Sequence, residues 1–144
     1  MEWTKNDYLI ATDKSLINTA IVHQFLTNSY WAGGIPEETV ERCIKGSLCF
    51  TVLHKGEQIG FARVITDEAT FAYLADVFIL EAHRGKGLSK WLMDVIINYP
   101  TLQGLRRFML ATRDAHSLYA QYGFSSITNV DKWMQIHNPD VYKK

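Results

Sequence analysis

A short glycine-rich loop between a buried strand and an amphipathic helix restricts the fold of this chain more than any other feature. Residues 71–80 are nearly all apolar, which is typical of a strand covered on both faces. Residues 88–99 carry apolar side chains at helical spacing. Residues 84–87, between them, read Arg-Gly-Lys-Gly. A strand that passes through such a loop into a helix is an arrangement that binds anions.

The loop combines several sources of affinity for a pyrophosphate. The first N–H groups of a helix have no partner within it, and the positive end of the helix dipole lies beside them. Glycine lets the backbone approach a bulky anion, while Arg84 and Lys86 add charge and Ser89 adds a hydroxyl donor. The loop lacks the Gly-x-x-x-x-Gly-Lys-Ser/Thr pattern of the Walker motif. The dinucleotide pattern also fails, because Lys90 stands where its third glycine is needed.

Periodicity and turn residues predict the other elements. A strand at 8–11 precedes a helix capped by Thr12 or Asp13, and Pro36 and Gly46 bound a second helix. Further patterns predict strands at 48–54, 58–66 and 107–111, a helix at 115–122 capped by Asp114 and ended by Gly123, and final strands at 124–129 and 132–137. This order predicts an α/β (α+β) fold, with helices on both faces of one mixed sheet. The length of 144 residues predicts a single domain spanning 1–144.

Charge and composition favour a small-molecule partner. Fifteen basic and fifteen acidic residues cancel, so the chain has no broad field for nucleic acid or an anionic membrane. The amino terminus lacks the apolar segment of a signal peptide, and no apolar run approaches the length of a membrane span, so we expect a cytoplasmic protein. The histidines show no ligand spacing, and we expect no metal. Cys43 and Cys49 could form a disulfide, bind a metal or be buried thiols, and a cytosolic chain favours buried thiols.

The glycine loop resembles the coenzyme A site of the GNAT superfamily of N-acyltransferases. That family's motif has Gln or Arg, two spacers, Gly, one spacer, then Gly or Ala. Gly85 and Gly87 fill both small positions. Ala82 stands at the first position and departs from the motif, so we expect the loop to lose some side-chain anchoring while its backbone cradle stays intact.

A second segment extends the resemblance over nearly the whole chain. The family has a tyrosine four residues before Gly-Phe, and Tyr119 precedes Gly123 and Phe124 in this way. Ala115 fits the small position at the start of that helix, and Thr112 stands where the family often has Asn. The order of elements also matches, with paired amino-terminal helices, antiparallel strands, the loop and then the tyrosine helix.

The resemblance implies an acetyl-CoA-dependent N-acetyltransferase with a mostly antiparallel sheet. The pantetheine arm would lie along the splayed end of the strand at 71–80 and pair with its backbone, where a free N–H could polarise the thioester carbonyl. The implied coenzyme contacts are Val77, Phe78, Ile79, Arg84, Gly85, Lys86, Gly87, Leu88, Ser89, Thr112, Asp114 and Tyr119. Arg106, Arg107 or Arg113 could meet the 3′-phosphate, although charges at strand ends are usually only solvated.

Two residues are candidates for catalysis. Family pattern places Tyr119 beside the coenzyme sulfur as general acid, although it could also be a packed aromatic. Asp76 is the single charge in an apolar strand, and an unsatisfied buried carboxylate is costly. It could be the base or the amine anchor, or it could bind nearby loop N–H groups instead. Tyr73, His116 or a water molecule are the alternative bases.

The acceptor side of the site is predicted from three residues. Arg63 lies inside an apolar strand and could pair with Asp76, bind an acidic substrate group or face solvent. Tyr30 and Trp31 lie in the break between the first two helices, which in the family borders the acceptor. Aromatic side chains there suit a flat or apolar amine, although Trp31 could be a core residue.

Two functional hypotheses follow. In the first, the protein is an active N-acetyltransferase that acts on a primary amine of a small molecule without a metal, and it could form a homodimer. In the second, it is a non-catalytic acyl-CoA-binding sensor or interaction module. The presence of Tyr119 and of the glycine loop favours the first hypothesis.

Overall fold

The computed structural model describes residues 1–143, and six strands form one sheet in it. The strands are β1 (Glu2–Lys5), β2 (Tyr8–Ala11), β3 (Leu48–His54), β4 (Glu57–Thr66), β5 (Phe71–Ile79) and β6 (Arg107–Leu110). The helices are α1 (Thr19–Thr27), α2 (Glu37–Lys45), α3 (Leu88–Ile97) and α4 (His116–Ala120). Short 3-10 turns lie at Lys14–Leu16, Glu81–His83, Pro100–Leu102 and Val130–Lys132.

The sheet follows chain order, β1-β2-β3-β4-β5-β6. Every neighbouring pair is antiparallel except β5 and β6, which are parallel because α3 carries the chain back across the sheet. The predicted mixed, mostly antiparallel architecture is confirmed. The turn between β3 and β4 is tight, since Lys55 and Gly56 both have positive φ angles of 51° and 84°.

Helices cover both faces of the sheet, as predicted. On one face, α3 buries Leu88, Leu92, Met93 and Ile96 against strand residues such as Phe50 and Val64. On the other face, α1 and α2 pack over Cys49, Phe61 and Phe78. The strands that form the centre of the sheet are therefore apolar on both sides, which explains their nearly continuous hydrophobic sequences.

The amino terminus differs from the prediction in two ways. The strand at Tyr8–Ala11 is confirmed, but β1 precedes it and was missed, with Asn6 at φ 55° in the connecting turn. Asp13 caps only a 3-10 turn, and α1 begins later, where the Asn18 side chain accepts the N–H of Ile21. The prediction that Thr12 or Asp13 caps the long helix is therefore wrong, because Asn18, a capping residue five positions after Asp13, starts it.

The two carboxy-terminal strands predicted at 124–129 and 132–137 are absent from residues 1–143. The first segment is irregular, the second begins with a 3-10 turn, and then the chain runs on without regular structure. A strand needs a hydrogen-bonding neighbour as well as a suitable sequence, and neither segment pairs with the outer edge of β6.

Among residues 1–143, no helix has the length and apolar character required to span a membrane. Cys43 and Cys49 are free thiols, and Cys49 is buried. The disulfide that the sequence left open does not form.

Candidate functional site

The centre of the candidate site is a gap between β5 and β6. The two strands pair only from Phe71 with Arg107 to Leu74 with Leu110. Beyond Leu74, β5 continues to Ile79 along β4, and its opposite edge has no strand partner within residues 1–143. The splay predicted for this strand is therefore present. It exposes backbone groups that can pair with an extended ligand.

A β-bulge lies at the point where the strands separate. Arg63 pairs with Ala75 and Phe61 pairs with Phe78, so Asp76 and Val77 together oppose a single residue of β4. Asp76 has φ 55°, in the left-handed region that Asp tolerates better than most residues. Bulges redirect side chains, and this one places the carboxylate of Asp76 beside the open edge.

The glycine-rich loop lies directly after the splayed strand. Gly85 and Gly87 have φ angles of 79° and 76°, and Gly87 is the residue before the first turn of α3. The first backbone bond of the helix runs from the Trp91 N–H to the Gly87 carbonyl at 3.1 Å, which leaves the N–H groups before it available. A Cβ added to either glycine would meet no atom of residues 1–143 within 4 Å. The space above the loop is thus open to a phosphate group.

Arg84 anchors the loop to the end of β5. Its Nε donates to the Ile79 carbonyl at 2.8 Å. The departure at Ala82 was expected to cost side-chain anchoring, and the structure provides that anchor two residues later. Lys86 is exposed, with its Nζ 3.5 Å from the Tyr8 hydroxyl, while the Leu88 side chain is buried, so that only its backbone can contribute to an anion site.

Asp76 is held by two side chains, one from β4 and one from the α1–α2 connection. The Arg63 Nε donates to one carboxylate oxygen at 2.5 Å, and the Trp31 indole N–H donates to the other at 2.8 Å. Arg63 also donates to the Ser47 hydroxyl at 3.1 Å. Burial alone would lower the pKa of Arg63, but the charge and hydrogen bond of Asp76 raise it overall, so the guanidinium stays charged. The pairing of Arg63 with Asp76, one of the three possibilities for Arg63, is confirmed.

The tyrosine of α4 lies on the other side of the gap. Burial and the nearby Tyr30 phenol raise the pKa of Tyr119, so its hydroxyl keeps its proton at neutral pH. Within residues 1–143 this hydroxyl forms no hydrogen bond. Arg113, in the loop before α4, stacks on the Tyr30 ring with its Cζ 3.8 Å from the centroid. Tyr30 thus links the α1–α2 connection to the α4 side of the site.

A cleft of about 580 Å³ opens beside these residues. Its walls include Phe25, Tyr30 and Trp31 from α1 and the following turn, and Leu80 from the end of β5. Phe25 stacks on Phe78 at 4.0 Å between centroids, which fixes this wall to the splayed strand. The polar side chains Gln24, Asn28 and Ser29 complete the lining, so the cleft at the break between the first two helices combines aromatic and polar groups.

The start of α4 corrects one expectation. Asp114 does not cap the helix, whose first residue is His116. The Thr112 hydroxyl accepts the N–H of Ala115 at 3.0 Å instead. Thr112, in the position where Asn is frequent, thus organises the loop before α4, and Gly123 ends the segment at φ 94° as predicted.

Other candidates lie farther from the site. Arg107 pairs with Phe71, at the end of β5 that is farther from the glycine loop. At 3.3 Å per residue, β5 spans about 26 Å from Phe71 to Ile79, where the chain turns toward that loop. Its guanidinium stacks on Trp133, 4.5 Å from the ring centroid, and Arg106 lies next to it. This placement argues against a 3′-phosphate contact by either arginine. His116 is exposed on α4, and Tyr73 pairs between Ile65 and Met109 within the sheet.

No group of three or more metal-ligating side chains is present in the part of the chain that the structure describes.

Sequence reasoning missed three features of the site: the bulge at Asp76, the Ser47 partner of Arg63, and the stacking of Arg113 on Tyr30. Each joins residues far apart in the chain, and no local pattern marks such contacts.

Comparisons with known proteins agree with this geometry. Residues 18–124 match the model of the Acetyltransferase (GNAT) family. A protein of Gibberella zeae, named by inference as an acetyltransferase, is 33% identical over 142 residues, covering 83% of this chain and 79% of that protein.

Two solved structures extend the comparison. A protein of Xanthomonas campestris, assigned by inference to the acetyltransferases of the GNAT family, is 48% identical, with a TM-score of 0.93, and the match covers 95% of this chain and 97% of the other. A Clostridium acetobutylicum protein solved with acetyl-CoA has a TM-score of 0.64 at 16% identity, covering 90% of this chain and 94% of the other, and shows the shared fold alone.

Proposed function

Because this chain belongs to the GNAT family of acetyltransferases, we propose that it transfers an acetyl group from acetyl-CoA to a primary amine of a small molecule. Members of the family are acyltransferases that use acetyl-CoA, and the proposal adds the kind of acceptor and the role of each side chain. The proposal rests above all on one observation, the unpaired edge of β5 between the glycine loop and Tyr119.

Each part of the coenzyme has a matching surface in this proposal. The pyrophosphate binds the free N–H groups at the start of α3, and Lys86 adds charge beside them. The pantetheine arm pairs with the open backbone of Val77 and Phe78, which α3 and α1 hold from opposite faces of the sheet. The Ile79 carbonyl accepts from Arg84, which joins the end of this surface to the glycine loop.

The chemical step is direct attack on the thioester. The amine nitrogen gives up a proton to Asp76 or to water and forms a bond to the carbonyl carbon, the carbon–sulfur bond breaks, and the sulfur leaves as a thiolate. Tyr119 donates its proton to that sulfur and then regains one from water. Its raised pKa ensures that the proton is present at neutral pH, and its hydroxyl has no competing acceptor within residues 1–143.

Asp76 acts on the amine in this proposal. Each carboxylate oxygen accepts one hydrogen bond in the structure and has a second lone pair for an ammonium or amine N–H. The ion pair with Arg63 fixes the position of the carboxylate, so that it can orient the amine as an anchor or take up its proton as a base. Since Arg63 is committed to Asp76 and Ser47, an acidic substrate group is not its main partner.

The surroundings indicate the kind of acceptor. The aromatic cleft next to Trp31 and Leu80 suits an amine with an apolar or flat body. The two free thiols suit a reducing compartment, and we propose the cytoplasm. A homodimer is part of the same proposal.

An acceptor screen tests the function. Free thiol released from acetyl-CoA is followed with a panel of small primary amines, alone and with the wild-type protein. Amine-dependent release, accompanied by a product whose mass has increased by one acetyl group, is the expected result. Tight acetyl-CoA binding by calorimetry without release for any amine would favour the alternative, a non-catalytic acyl-CoA-binding module.

A further inference from the structure

The acceptor side of the site contains a cation whose charge the proposed reaction does not use. Arg113 is exposed in the loop before α4, and its guanidinium stacks on the Tyr30 ring, 3.8 Å from the centroid. Among residues 1–143, no carboxylate forms an ion pair with it, and its N–H groups donate to no acceptor. Stacking covers a face of the guanidinium and leaves the donors at its edge, so these donors are free for a ligand.

Arg113 is held in place before any ligand arrives. The Thr112 hydroxyl accepts the N–H of Ala115 at 3.0 Å, which fixes the turn that carries the arginine. The Tyr30 ring holds the arginine side chain, and this ring itself packs edge-to-face on Trp31, with 5.1 Å between centroids. A long side chain that is already ordered loses less conformational entropy when it binds a partner.

Two aromatic rings connect this cation to the carboxylate of Asp76. The Trp31 indole N–H donates to that carboxylate at 2.8 Å, so contacts lead from Arg113 through Tyr30 and Trp31 to Asp76. Both rings line the cleft, and they are 57% and 43% exposed. The cleft therefore has an open aromatic wall with a positive group at one end and a negative group at the other.

The position of Arg113 along the coenzyme separates an acceptor contact from a coenzyme contact. The Tyr30 phenol lies close enough to Tyr119 to help raise its pKa, and Tyr119 meets the departing sulfur in the proposed reaction. The 3′-phosphate belongs to the adenosine half of the coenzyme, beyond the pyrophosphate that the start of α3 would bind. Arg113 thus lies at the acyl end of the coenzyme, where the acceptor arrives.

From this arrangement we infer that the acceptor is a zwitterion whose carboxylate binds Arg113 while its amine meets Asp76. The inference rests on the proposed function and narrows the acceptor of that same site. A carboxylate matches the fork of N–H donors at the edge of a guanidinium, and the single charge of Arg113 matches a monoanion better than a phosphate dianion. The body between the two groups lies along the rings of Tyr30 and Trp31. The carboxylate itself takes no part in the chemical step.

The test compares para-aminomethylbenzoate with para-aminomethylbenzamide, which has the same amine and ring but no charge at the far end. Thiol release from acetyl-CoA gives kcat/KM for each amine. We expect the wild type to favour the acid by about 10-fold to 100-fold, as for a hydrogen bond to a charged group. In Arg113→Gln this preference should disappear, while kcat/KM for the benzamide and the affinity for acetyl-CoA change little.

Arg107→Gln is the matched control. Arg107 also stacks on an aromatic ring, with its Cζ 4.5 Å from the centroid of Trp133, but it lies outside the site, so the variant should keep the full preference for the acid. Arg113→Glu reverses the charge at the far end. It should favour para-xylylenediamine, whose second amine is positive, over the acid. An arginine that only stabilises its loop would not give this inversion.

Heteronuclear NMR supplies a readout that requires no turnover. The full chain is labelled and saturated with coenzyme A, which carries no acetyl group to transfer. The Nε–H resonance of Arg113 is identified by its absence from the spectrum of Arg113→Gln. It should shift on titration with para-aminomethylbenzoate and stay in place with the benzamide.

Several results would overturn the inference while leaving acetyl transfer in place. These are equal kcat/KM values for the two amines in the wild type, a preference that survives in Arg113→Gln, and a stronger preference for para-aminomethylphenylphosphonate than for the acid. Loss of acetyl-CoA affinity in Arg113→Gln with an unchanged preference also overturns it, since the arginine would then bind the 3′-phosphate. Failure of every amine to release thiol counts against the proposed function. The titration then decides the inference, which an unmoved Arg113 resonance overturns.

Discussion

The glycine loop and the Asp76 cluster lie at the two ends of the same gap, but the chain builds them in opposite ways. The loop offers backbone N–H groups at the start of α3, and the residues that form it are consecutive. The cluster offers a carboxylate whose two partners, Arg63 and Trp31, come from β4 and from the α1–α2 connection.

This difference determines how each region responds to change. Backbone donors persist whatever the side chains are, so the loop is sensitive mainly to added bulk and to lost conformational freedom. A side-chain cluster depends on every member, because removing one leaves a buried polar group without its partner. Substitutions in the loop should therefore affect coenzyme binding, and substitutions in the cluster should affect stability and the acceptor.

The largest effect is expected for Gly87→Val. A Cβ at this position meets no protein atom, so the branched side chain occupies the space of the pyrophosphate. We expect acetyl-CoA affinity, measured by calorimetry, to fall by about 100-fold or more, which corresponds to about 2.7 kcal/mol.

Gly56→Val is the matched control for this variant. Gly56 also has a positive φ, of 84°, and open space around its Cβ position, but it lies in the β3–β4 turn. Both variants should lose similar stability, since the left-handed conformation costs a residue with a Cβ about 1–2 kcal/mol. Equal losses of coenzyme affinity would contradict the assignment of the cradle to the loop.

Asp76→Asn comes next. The amide keeps the shape of the side chain but loses the charge that pairs with Arg63, so the free energy of unfolding should fall by about 1.5–3 kcal/mol. Turnover should fall as well, while acetyl-CoA affinity stays unchanged. Chemical denaturation and steady-state kinetics measure the two effects.

The pH–rate profile of Asp76→Asn separates the two roles of the carboxylate. A base role predicts that the acidic limb of the wild-type profile is lost in the variant. An anchor role predicts that the limb remains while KM for the amine rises. An unchanged profile together with an unchanged KM would exclude both roles.

Tyr119→Phe tests the group between the two regions. The variant keeps the ring and removes the hydroxyl, so turnover and kcat/KM should fall together by about 10-fold to 100-fold, or about 1.4–2.7 kcal/mol. Coenzyme affinity should hold. If chemistry limits the rate, the deficit should shrink with an acyl donor whose thiol is more acidic.

The wild-type pH profile provides a check on this prediction. Burial raises the pKa of Tyr119 above its ordinary value of about 10, so the acid form persists through the neutral and mildly alkaline range. The rate should show no alkaline decline from this group below about pH 10. Wild-type turnover in the variant, under chemistry-limited conditions, would leave Tyr119 as a packing residue.

The smallest effect is expected for Trp31→Phe. The ring remains in the aromatic cleft, but the hydrogen bond to Asp76 is lost, at a cost of about 0.5–1.5 kcal/mol. KM for the amine should rise a few-fold while acetyl-CoA affinity stays constant. A change in coenzyme affinity larger than the change in KM would show that the two regions are not separable.

The residues that sequence analysis predicted best are those defined by neighbours in the chain. Gly85 and Gly87 preceded an apolar helix, and Pro36 and Gly46 bounded α2 almost to the residue. The predicted strands at 124–129 and 132–137 are wrong although the patterns are strand-like, because neither segment forms ladder hydrogen bonds with the outer edge of β6. The prediction that Asp114 caps α4 is also wrong, because the Thr112 hydroxyl accepts the N–H of Ala115 at the start of that helix.

The sequence alone determined the class of fold, the glycine loop before α3 and the tyrosine helix, because glycine conformations, helix ends and hydrophobic periods are local properties of the backbone. Only the tertiary structure decided that Asp76 sits in a bulge, that Arg63 and Trp31 occupy its two oxygens, and that Arg84 replaces the anchor missing at Ala82. These contacts join residues from different strands and turns, and their geometry depends on how the sheet separates between β5 and β6. A separation of that kind is set by the packing of helices on both faces, which no short stretch of sequence encodes.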